Sequence, residues 1–422
     1  MTFDRQNSQT VEMVKKSNII DSLLYLTIFS VPFGTFSIKT GLTNLSLPNI
    51  LIVITLVTFA ITRYRKQRLY LSRLQLIALG MLCVLILIQS ITTFIHSGSS
   101  RRIVTYIGYM LFTIGIFTYV DSYSDARRLL QAAFLSAVVL SILTIVHVFL
   151  YPQGLPFGDK YRGQRAIFGV TIPFQRTLGL DITYGAFGMY TMMATPYYIY
   201  KNLKKPSLIE GLGILLVLLA VLISQSRSTW VAAGVAIFIV ITGYGVYNKF
   251  RIEKNNTYMK IVSYGILVAG LILILLSPGI IKEIISVRSD TFFSRIEQYQ
   301  SGIEIVLSEP LIGVGFGTLE ELYQSGSAVI HSSFVNLAAQ TGLIGLALVI
   351  YLWLIVILVL MKEMFYSQLE NTLAIGIFAS LAAIFIETNL QPGFTKAPWI
   401  VLALALSVYT ATGIGRTKGA EE

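Results

Sequence analysis

Long apolar stretches recur along almost the whole chain, and they constrain its fold more than any other feature. About twelve of them are long enough to cross a hydrocarbon core ~30 Å thick. We therefore predict an all-α, polytopic membrane protein of about twelve transmembrane helices. The predicted spans are 19–38, 45–62, 74–95, 103–120, 129–150, 179–200, 208–224, 231–247, 261–277, 332–361, 373–390 and 397–412.

Composition excludes a soluble fold. Hydrophobic residues make up 55% and charged residues 13% of the chain, whereas soluble domains contain roughly 25% charged residues. A mean hydropathy of +0.71 leaves more apolar surface than a soluble domain could bury. The single cysteine, Cys83, excludes an intramolecular disulfide and any cysteine-based zinc site. We expect one integral membrane domain over 1–422, in which 278–331 comes nearest to a separate module.

Positive charge is distributed unevenly between the predicted loops. The formal net charge is +11, from 32 basic and 21 acidic residues. In a soluble protein this excess would suggest nucleic acid, but membrane proteins retain lysine and arginine in their cytoplasmic loops. With the N-terminus inside, 20 of the 32 basic residues fall on the cytoplasmic side. We therefore predict both termini in the cytoplasm and no nucleic-acid partner. Lys15 and Lys16 are interpreted as an anchor before an uncleaved first span.

Two long segments between spans, 151–178 and 278–331, fall on the predicted outer face. Basic side chains beside a membrane suggest an anionic ligand at the level of the outer headgroups. Those in the two segments are Lys160, Arg162, Arg165, Arg176, Lys282, Arg288 and Arg295.

The second outer segment contains a helical pattern. Between Thr291 and Ser308 apolar residues recur at helical spacing, with polar residues on the opposite face. This pattern predicts an amphipathic helix on the membrane or on the bundle, ended by Pro310. The glycines of 313–317 resemble a phosphate-binding loop only superficially, because no P-loop lysine follows. A tight turn is the better interpretation.

Three residues on the predicted outer face could carry chemistry. His331 stands at the mouth of the tenth span, where an imidazole could exchange a proton near neutral pH. The alternative is an interfacial histidine that only forms hydrogen bonds. Arg227 could clamp phosphate with its planar fork, or simply reach the headgroups. Arg295 could do the same or form a surface ion pair. No spacing of acidic residues requires a metal.

The sequence from His331 onward resembles the signature of bacterial O-antigen ligases and O-antigen polymerases. His331-Ser332 is followed, after nine residues, by Gly342-Leu-Ile-Gly345, and every fixed position matches. The family's arginine, aromatic and Pro-Leu-x-Gly-x-Gly-x-Gly segment is similar to Arg295 through Tyr299 and Pro310 through Gly317. Further likenesses are Ser226-Arg227-Ser228 with the family's Ser-Arg element, and Arg176 with Gly179 in the outer loop.

The resemblance implies a metal-independent glycosyltransferase without a cofactor, acting at the outer face of the bacterial cytoplasmic membrane. Its donor would be a glycan linked through diphosphate to a polyprenol, and its acceptor a glycan or a lipid-linked glycan. In family terms, Arg227 and Arg295 would stabilise the diphosphate leaving group, and His331 would activate or orient the acceptor hydroxyl. Further substrate-binding candidates are Arg176, Arg288, Arg165 and Arg162.

Other functions stay open at this point. The same motif serves a ligase, which transfers finished polymer to lipid A–core, and a polymerase, which extends a chain of repeat units. A transporter or flippase of lipid-linked glycan would have charged residues deep within several spans and two similar halves. Asp181, Glu210 and Glu387 lie near span ends or alone, and no halves match. A shape-determining peptidoglycan polymerase would have different motifs.

Overall fold

The computed structural model describes most of the helical part of the chain. The described residues are 19–33, 37–39, 44–66, 73–95, 100–120, 122–150, 164–167, 170–173, 177–178, 182–224, 226–250, 289–315, 319, 330, 332–366, 371–390 and 396–411. The helices in these ranges are α1 (Ile19–Phe33), α2 (Leu47–Lys66), α3 (Arg73–Ile95), α4 (Ser100–Tyr119), α5 (Tyr123–Leu150), α6 (Tyr184–Met192), α7 (Thr195–Lys204), α8 (Leu208–Ile223), α9 (Arg227–Phe250), α10 (Ser289–Ser308), α11 (Ser333–Tyr366), α12 (Asn371–Leu390) and α13 (Lys396–Ala411).

Three short antiparallel hairpins connect some of these helices. Their strands are β1 (Ser37–Lys39) with β2 (Asn44–Ser46), β3 (Gln164–Ile167) with β4 (Val170–Pro173), and β5 (Thr177–Leu178) with β6 (Ile182–Thr183). The predicted helical class is confirmed for the bundle, but the hairpins were not predicted. Strands of two to four residues are too short to give a recognisable alternating pattern.

Ten of the predicted spans coincide with apolar helices. Five helices are long and apolar enough to cross a membrane, namely Arg73–Ile95, Tyr123–His147, Ser228–Gly245, Ser333–Met364 and Thr372–Asn389. Five shorter apolar helices are Ile19–Phe33, Leu47–Ile61, Val104–Tyr119, Leu208–Ile223 and Ala397–Ser407. The chain is therefore a membrane protein with several helical spans. The predicted span 261–277 lies outside the described residues, so the count of about twelve stays a prediction.

The sixth predicted span, 179–200, is not one continuous helix. Helix α6 ends at Met192 and α7 begins at Thr195, so the prediction of a single span there was wrong. Pro196 explains the break, because it has no N–H to donate and its ring clashes with the preceding turn. The Thr195 hydroxyl donates to the carbonyl of Thr191 at 2.5 Å and satisfies part of the interrupted backbone.

Helix α12 lies at the centre of the described bundle. It packs against α6, α7, α9, α11 and α13. Small residues on its surface, including Ala374, Gly376 and Ala383, allow neighbouring backbones to approach closely. At Gly376 a methyl group would overlap the Cα of Tyr197 in α7. The two ends of α12 therefore position residues from several other helices.

Candidate functional site

The structure locates three of the predicted site residues by their backbone. Arg227 is the first residue of α9, Arg295 lies in α10, and Arg165 lies in β3 opposite Ile172. The side chains of these three arginines lie outside what the structure describes. The other predicted site residues, His331, Arg162, Arg176 and Arg288, lie outside the described residues altogether.

Arg227 owes its position to a capped helix start. The Ser226 hydroxyl accepts the backbone N–H of Thr229 at 3.4 Å, in the position of an N-cap, and also the Thr229 hydroxyl at 2.8 Å. The indole N–H of Trp230 donates to the carbonyl of Val221 at 2.9 Å and fixes the helix start against the end of α8. The first serine of the Ser-Arg-Ser element thus acts as a helix cap.

The residue that follows His331 has the same local role. Ser332 precedes α11, and its hydroxyl accepts the backbone N–H of Val335 at 3.4 Å. Its carbonyl accepts the N–H of Asn336 at 2.9 Å. His331 is therefore the residue immediately before the N-cap of α11, much as Arg227 is the residue immediately after the N-cap of α9. Both helix starts carry partial positive charge, which favours a nearby anion.

Two motif segments that are distant in the sequence meet through their backbones. The turn after α10 donates from Val314 N to the carbonyl of Ala339 and from Gly315 N to that of Gln340, each at 2.9 Å. In return, Leu343 N donates to the carbonyl of Pro310 at 2.8 Å. The predicted tight turn is confirmed at 313–315, and residues 316 and 317 lie outside the described residues. Because the N–H groups of Val314 and Gly315 already have carbonyl partners, they are not available to bind phosphate.

The junction between the turn of 310–315 and residues 339–343 of α11 depends on glycine. Gly342 interrupts α11 with φ of 66° and ψ of −175°, and Gly313 has φ of 68°. Both φ values lie in the left-handed region, which residues with a Cβ rarely adopt. A Cβ at Gly342 would also overlap the backbone of Leu311, and one at Gly313 would lie 2.5 Å from the nitrogen of Gly342. The glycines of the signature therefore have a structural reason to be there.

Helix α10, which carries Arg295, crosses the start of α11. The predicted amphipathic helix over 291–308 is confirmed as Ser289–Ser308. Gly302 faces the side chains of Val335 and Ile330, where a Cβ would lie 2.6 Å from a Val335 methyl carbon. Ile296 and Ile303 are exposed, so only part of the predicted apolar stripe packs on the bundle. Arg295 lies about two turns before Gly302 in α10.

The last turns of α12 lie between the two helix starts. The Phe385 ring contacts Phe334 of α11 at a centroid distance of 5.3 Å. Two residues later, Glu387 is 0% exposed. Residues two positions apart lie on nearly opposite sides of a helix. Phe385 contacts α11 and Glu387 lies beside the first turn of α9, so these two helices pack on opposite sides of the end of α12. The starts of α9 and α11 therefore both lie against this end of α12.

Glu387 is the residue that sequence reasoning missed. Its carboxyl lies among Gly188 of α6 and the hydroxyls of Ser228 and Thr229 in the first turn of α9. Both carboxyl oxygens are buried inside the bundle, beside these two hydroxyls. An acid inside an apolar span marks a functional position by default. That signal is present in the sequence, where Glu387 stands among the acids that lie near span ends or alone.

The starts of α9 and α11 provide partial positive charge that is suited to an anion. Within the described ranges, no three His, Cys, Asp or Glu side chains lie close enough together to hold a metal ion.

Comparison with known proteins identifies the region that contains these motifs. A family model described as O-antigen ligase matches residues 212–350. The match includes the start of α9, all of α10, the glycine turn and the start of α11. A search of curated proteins finds none that matches the chain. The resemblance inferred from the motifs is confirmed: residues 212–350 match the O-antigen ligase family.

Proposed function

We propose that this protein is a glycosyltransferase that transfers or polymerises a polyprenyl-diphosphate-linked glycan on the outer face of the bacterial cytoplasmic membrane. The match of residues 212–350 to the O-antigen ligase family supports a role in surface polysaccharide assembly. Both termini are cytoplasmic in this proposal, so the capped starts of α9 and α11 face outward. The donor enters from the membrane, and its lipid tail stays among the spans.

Transfer replaces one bond at the anomeric carbon of the donor. The acceptor hydroxyl forms the new glycosidic bond, and the bond to the diphosphate oxygen breaks. Negative charge grows on the leaving diphosphate, and fixed positive groups stabilise such charge in the transition state. Arg227 and Arg295 supply guanidinium groups for this purpose. The partial positive charge at the starts of α9 and α11 adds to this stabilisation.

His331 acts on the acceptor in this proposal. Its imidazole accepts a hydrogen bond from the acceptor hydroxyl and orients the oxygen toward the anomeric carbon. An imidazole can also accept the proton released by the attack. Arg162, Arg165, Arg176 and Arg288 contact the anionic parts of the donor or the glycan as it leaves the bundle.

One observation supports this proposal most strongly. The turn of 310–315 and the Gly342 break in α11, which belong to two separate motifs of the family, are joined by reciprocal backbone hydrogen bonds. In this proposal the junction holds α10 against α11, and Arg295 and His331 act in one site. The acceptor is lipid A–core for a ligase and a growing glycan for a polymerase, and either fits this chemistry.

Reconstituted transfer tests the proposal. The full chain is placed in vesicles with polyprenyl-diphosphate glycan and each of the two acceptors in turn. We expect His331→Ala to reduce transfer by about 10²- to 10⁴-fold, the usual contribution of a general acid or base. His96→Ala, which changes another predicted outer histidine, is the matched control. Transfer by His331→Ala at the level of the control would remove His331 from the chemistry.

The role of the planar guanidinium of Arg227 can be tested in the same assay. Arg227→Lys keeps the charge but loses the planar donor pair, so we expect transfer to fall about 100-fold. Arg101→Lys, in a different predicted outer loop, is the control. Near-normal turnover in Arg227→Lys would indicate that Arg227 only anchors the helix at the headgroups.

A further inference from the structure

An open pocket lies at the other end of α12. Its volume is about 480 Å³, and residues from four helices line it. It contains none of the predicted site residues, and no part of the proposed reaction uses it. The lining residues are Arg127, Arg128 and Gln131 of α5, Tyr197, Tyr198, Lys201 and Lys204 of α7, Lys205 after α7, Glu210 of α8, and Thr372 of α12.

The pocket has a strong excess of positive charge. Its lining contributes five basic residues and one acid, which gives +4 (5 − 1). A carboxylate oxygen of Asp21 in α1 lies 3.6 Å from a guanidinium nitrogen of Arg128. Counting this acid reduces the net charge around the pocket to +3. Glu210 forms its ion pair with Lys201. Even with both carboxylates counted, the pocket therefore attracts anions.

Tyrosine rings position two of the lysine side chains around the pocket. The Tyr198 ring stacks on Phe134 at a centroid distance of 3.9 Å, with 10° between the planes. The ammonium of Lys201 lies 5.2 Å from the Tyr198 ring, and that of Lys204 lies 5.0 Å from the Tyr200 ring. Lys204 also donates to the Thr372 hydroxyl at 3.0 Å. These contacts restrict the lysines to positions around the pocket.

Helix starts add to the positive potential. Glu210 lies in the first turn of α8 and Thr372 in the first turn of α12, so both helices begin at the pocket. The N-cap residue of α8, Ser207, makes no side-chain capping hydrogen bond. The first N–H groups of α8 therefore lack the partner that a serine cap usually provides. An anion at this place would be favoured by the helix dipole.

Apolar surface adjoins the charged lining. Leu208 and Ile209, next to Glu210 in α8, are 80% and 83% exposed, and Leu212 and Leu215 continue this exposed surface along the helix. In a membrane protein such a surface faces acyl chains. A soluble anion would use only the charged lining, whereas a lipid would use the lining and the adjacent apolar face together.

We infer that this pocket binds the phosphate of an anionic phospholipid headgroup, with the acyl chains lying along α8. Basic pockets between membrane helices are suited to such headgroups. In the proposed orientation the pocket lies in the cytoplasmic leaflet, on the opposite side from the glycan site. The inference depends on the pocket's own residues and not on glycosyl transfer.

Native mass spectrometry of the purified full chain tests this inference. Phosphatidylglycerol and phosphatidylcholine are titrated separately, and a second arm uses inorganic pyrophosphate. We expect tighter binding of phosphatidylglycerol, weakened about 30-fold in Lys204→Gln/Lys205→Gln, because each lysine beside anionic lipid contributes appreciably. Lys362→Gln, which changes an exposed lysine of α11 outside the pocket, is the matched control and should change binding less than about twofold.

The two arms separate the possible sources of phosphate. If phosphatidylglycerol stays bound in the presence of pyrophosphate, the result supports a phospholipid headgroup as the ligand. Equal affinity for pyrophosphate, lost in the double variant, supports a phosphate site but assigns it to a free anion. Absence of any preference for phosphatidylglycerol together with absence of pyrophosphate binding would overturn the inference, as would equal effects of the double variant and Lys362→Gln. Lys205→Gln alone, at an exposed position, guards against misfolding.

Discussion

The two ends of α12 differ in the burial and the pairing of the charged side chains around them. At the end near residue 387, a carboxyl is fully buried among Gly188, Ser228 and Thr229, and helix starts are fixed by serine caps. At the end near residue 372, an acid is paired with a lysine in an open pocket surrounded by further basic residues. One end is built on close backbone contact and the other on net charge.

This difference indicates what each end can do. A reaction needs groups held to within a fraction of an ångström, and packed backbone provides that rigidity. An anionic headgroup needs only a positive, accessible site, and flexible lysines provide it. We therefore expect the end near residue 387 to be sensitive to single methyl groups and the end near residue 372 to be sensitive mainly to charge and salt.

The largest effect is expected at the glycine junction. Gly342→Ala forces a Cβ into the left-handed region and against the backbone of Leu311, so the turn of 310–315 can no longer bond to α11. Transfer should fall more than about 100-fold, and the thermal midpoint should drop. Gly80→Ala, in α3 with open space around it, is the control and should be nearly neutral. Normal transfer by Gly342→Ala would show that the junction does not position the site.

A smaller loss is expected at Gly188. A methyl group there overlaps the Glu387 carboxyl and the Thr229 hydroxyl, so α6, α9 and α12 must move apart. Gly188→Ala should lower transfer about 10-fold or more, measured beside Gly234→Ala, which meets nothing within 4 Å. Because Glu387→Ala removes one of the two obstacles, the double variant should lose less than the sum of the single losses. Strict additivity would mean that the two residues do not contact each other in the membrane.

Glu387 itself is expected to act as a positioning residue. A carboxyl beside the first turn of α9 interacts favourably with that helix start, which carries Arg227. Glu387→Ala should reduce transfer about 10-fold with a change mainly in kcat, whereas Glu387→Gln, which keeps the shape, should recover part of the loss. Steady-state kinetics with varied donor concentration measure both parameters. Equal losses in the two variants would indicate that only the charge matters.

The smallest effect is expected at the basic end. Lys204→Gln/Lys205→Gln should leave transfer unchanged in vesicles of neutral lipid, because this pocket is remote from the glycan site. Phosphatidylglycerol should raise the thermal midpoint of the unaltered chain, and less so in the double variant or at high salt. Thermal unfolding in the two lipids measures the difference. A loss of transfer in neutral lipid would contradict the separation of the two ends.

Much of the helical framework was predictable because membrane spans are encoded by long apolar stretches. Ten predicted spans coincide with apolar helices, and the amphipathic pattern of 291–308 correctly predicted α10. The division of 179–200 was missed although Pro196 is visible in the sequence, because hydropathy alone does not register a missing N–H. The hairpins were missed because their strands are very short.

The candidate site was predictable in its motifs but not in its contacts. Local spacing pointed to the turn near Gly313 and to the segment of Gly342, but their mutual hydrogen bonds join residues separated along the chain. Glu387 lies outside residues 212–350 and meets the first turn of α9 only through helix packing. The basic pocket likewise combines four helices whose charges each looked like ordinary loop charges.

Cross-linking tests the central claim, that the start of α9 and the residue before α11 meet at one site. Cys83 is the only cysteine, so Cys83→Ser gives a clean background for paired variants. Phe334→Cys with Phe385→Cys, whose rings lie 5.3 Å apart, is the positive control, and Arg227→Cys with Lys205→Cys is the negative control. We predict that Arg227→Cys and His331→Cys are joined by a short bis-maleimide and are protected by polyprenyl diphosphate. Failure of that pair to react while the positive control reacts would contradict the account.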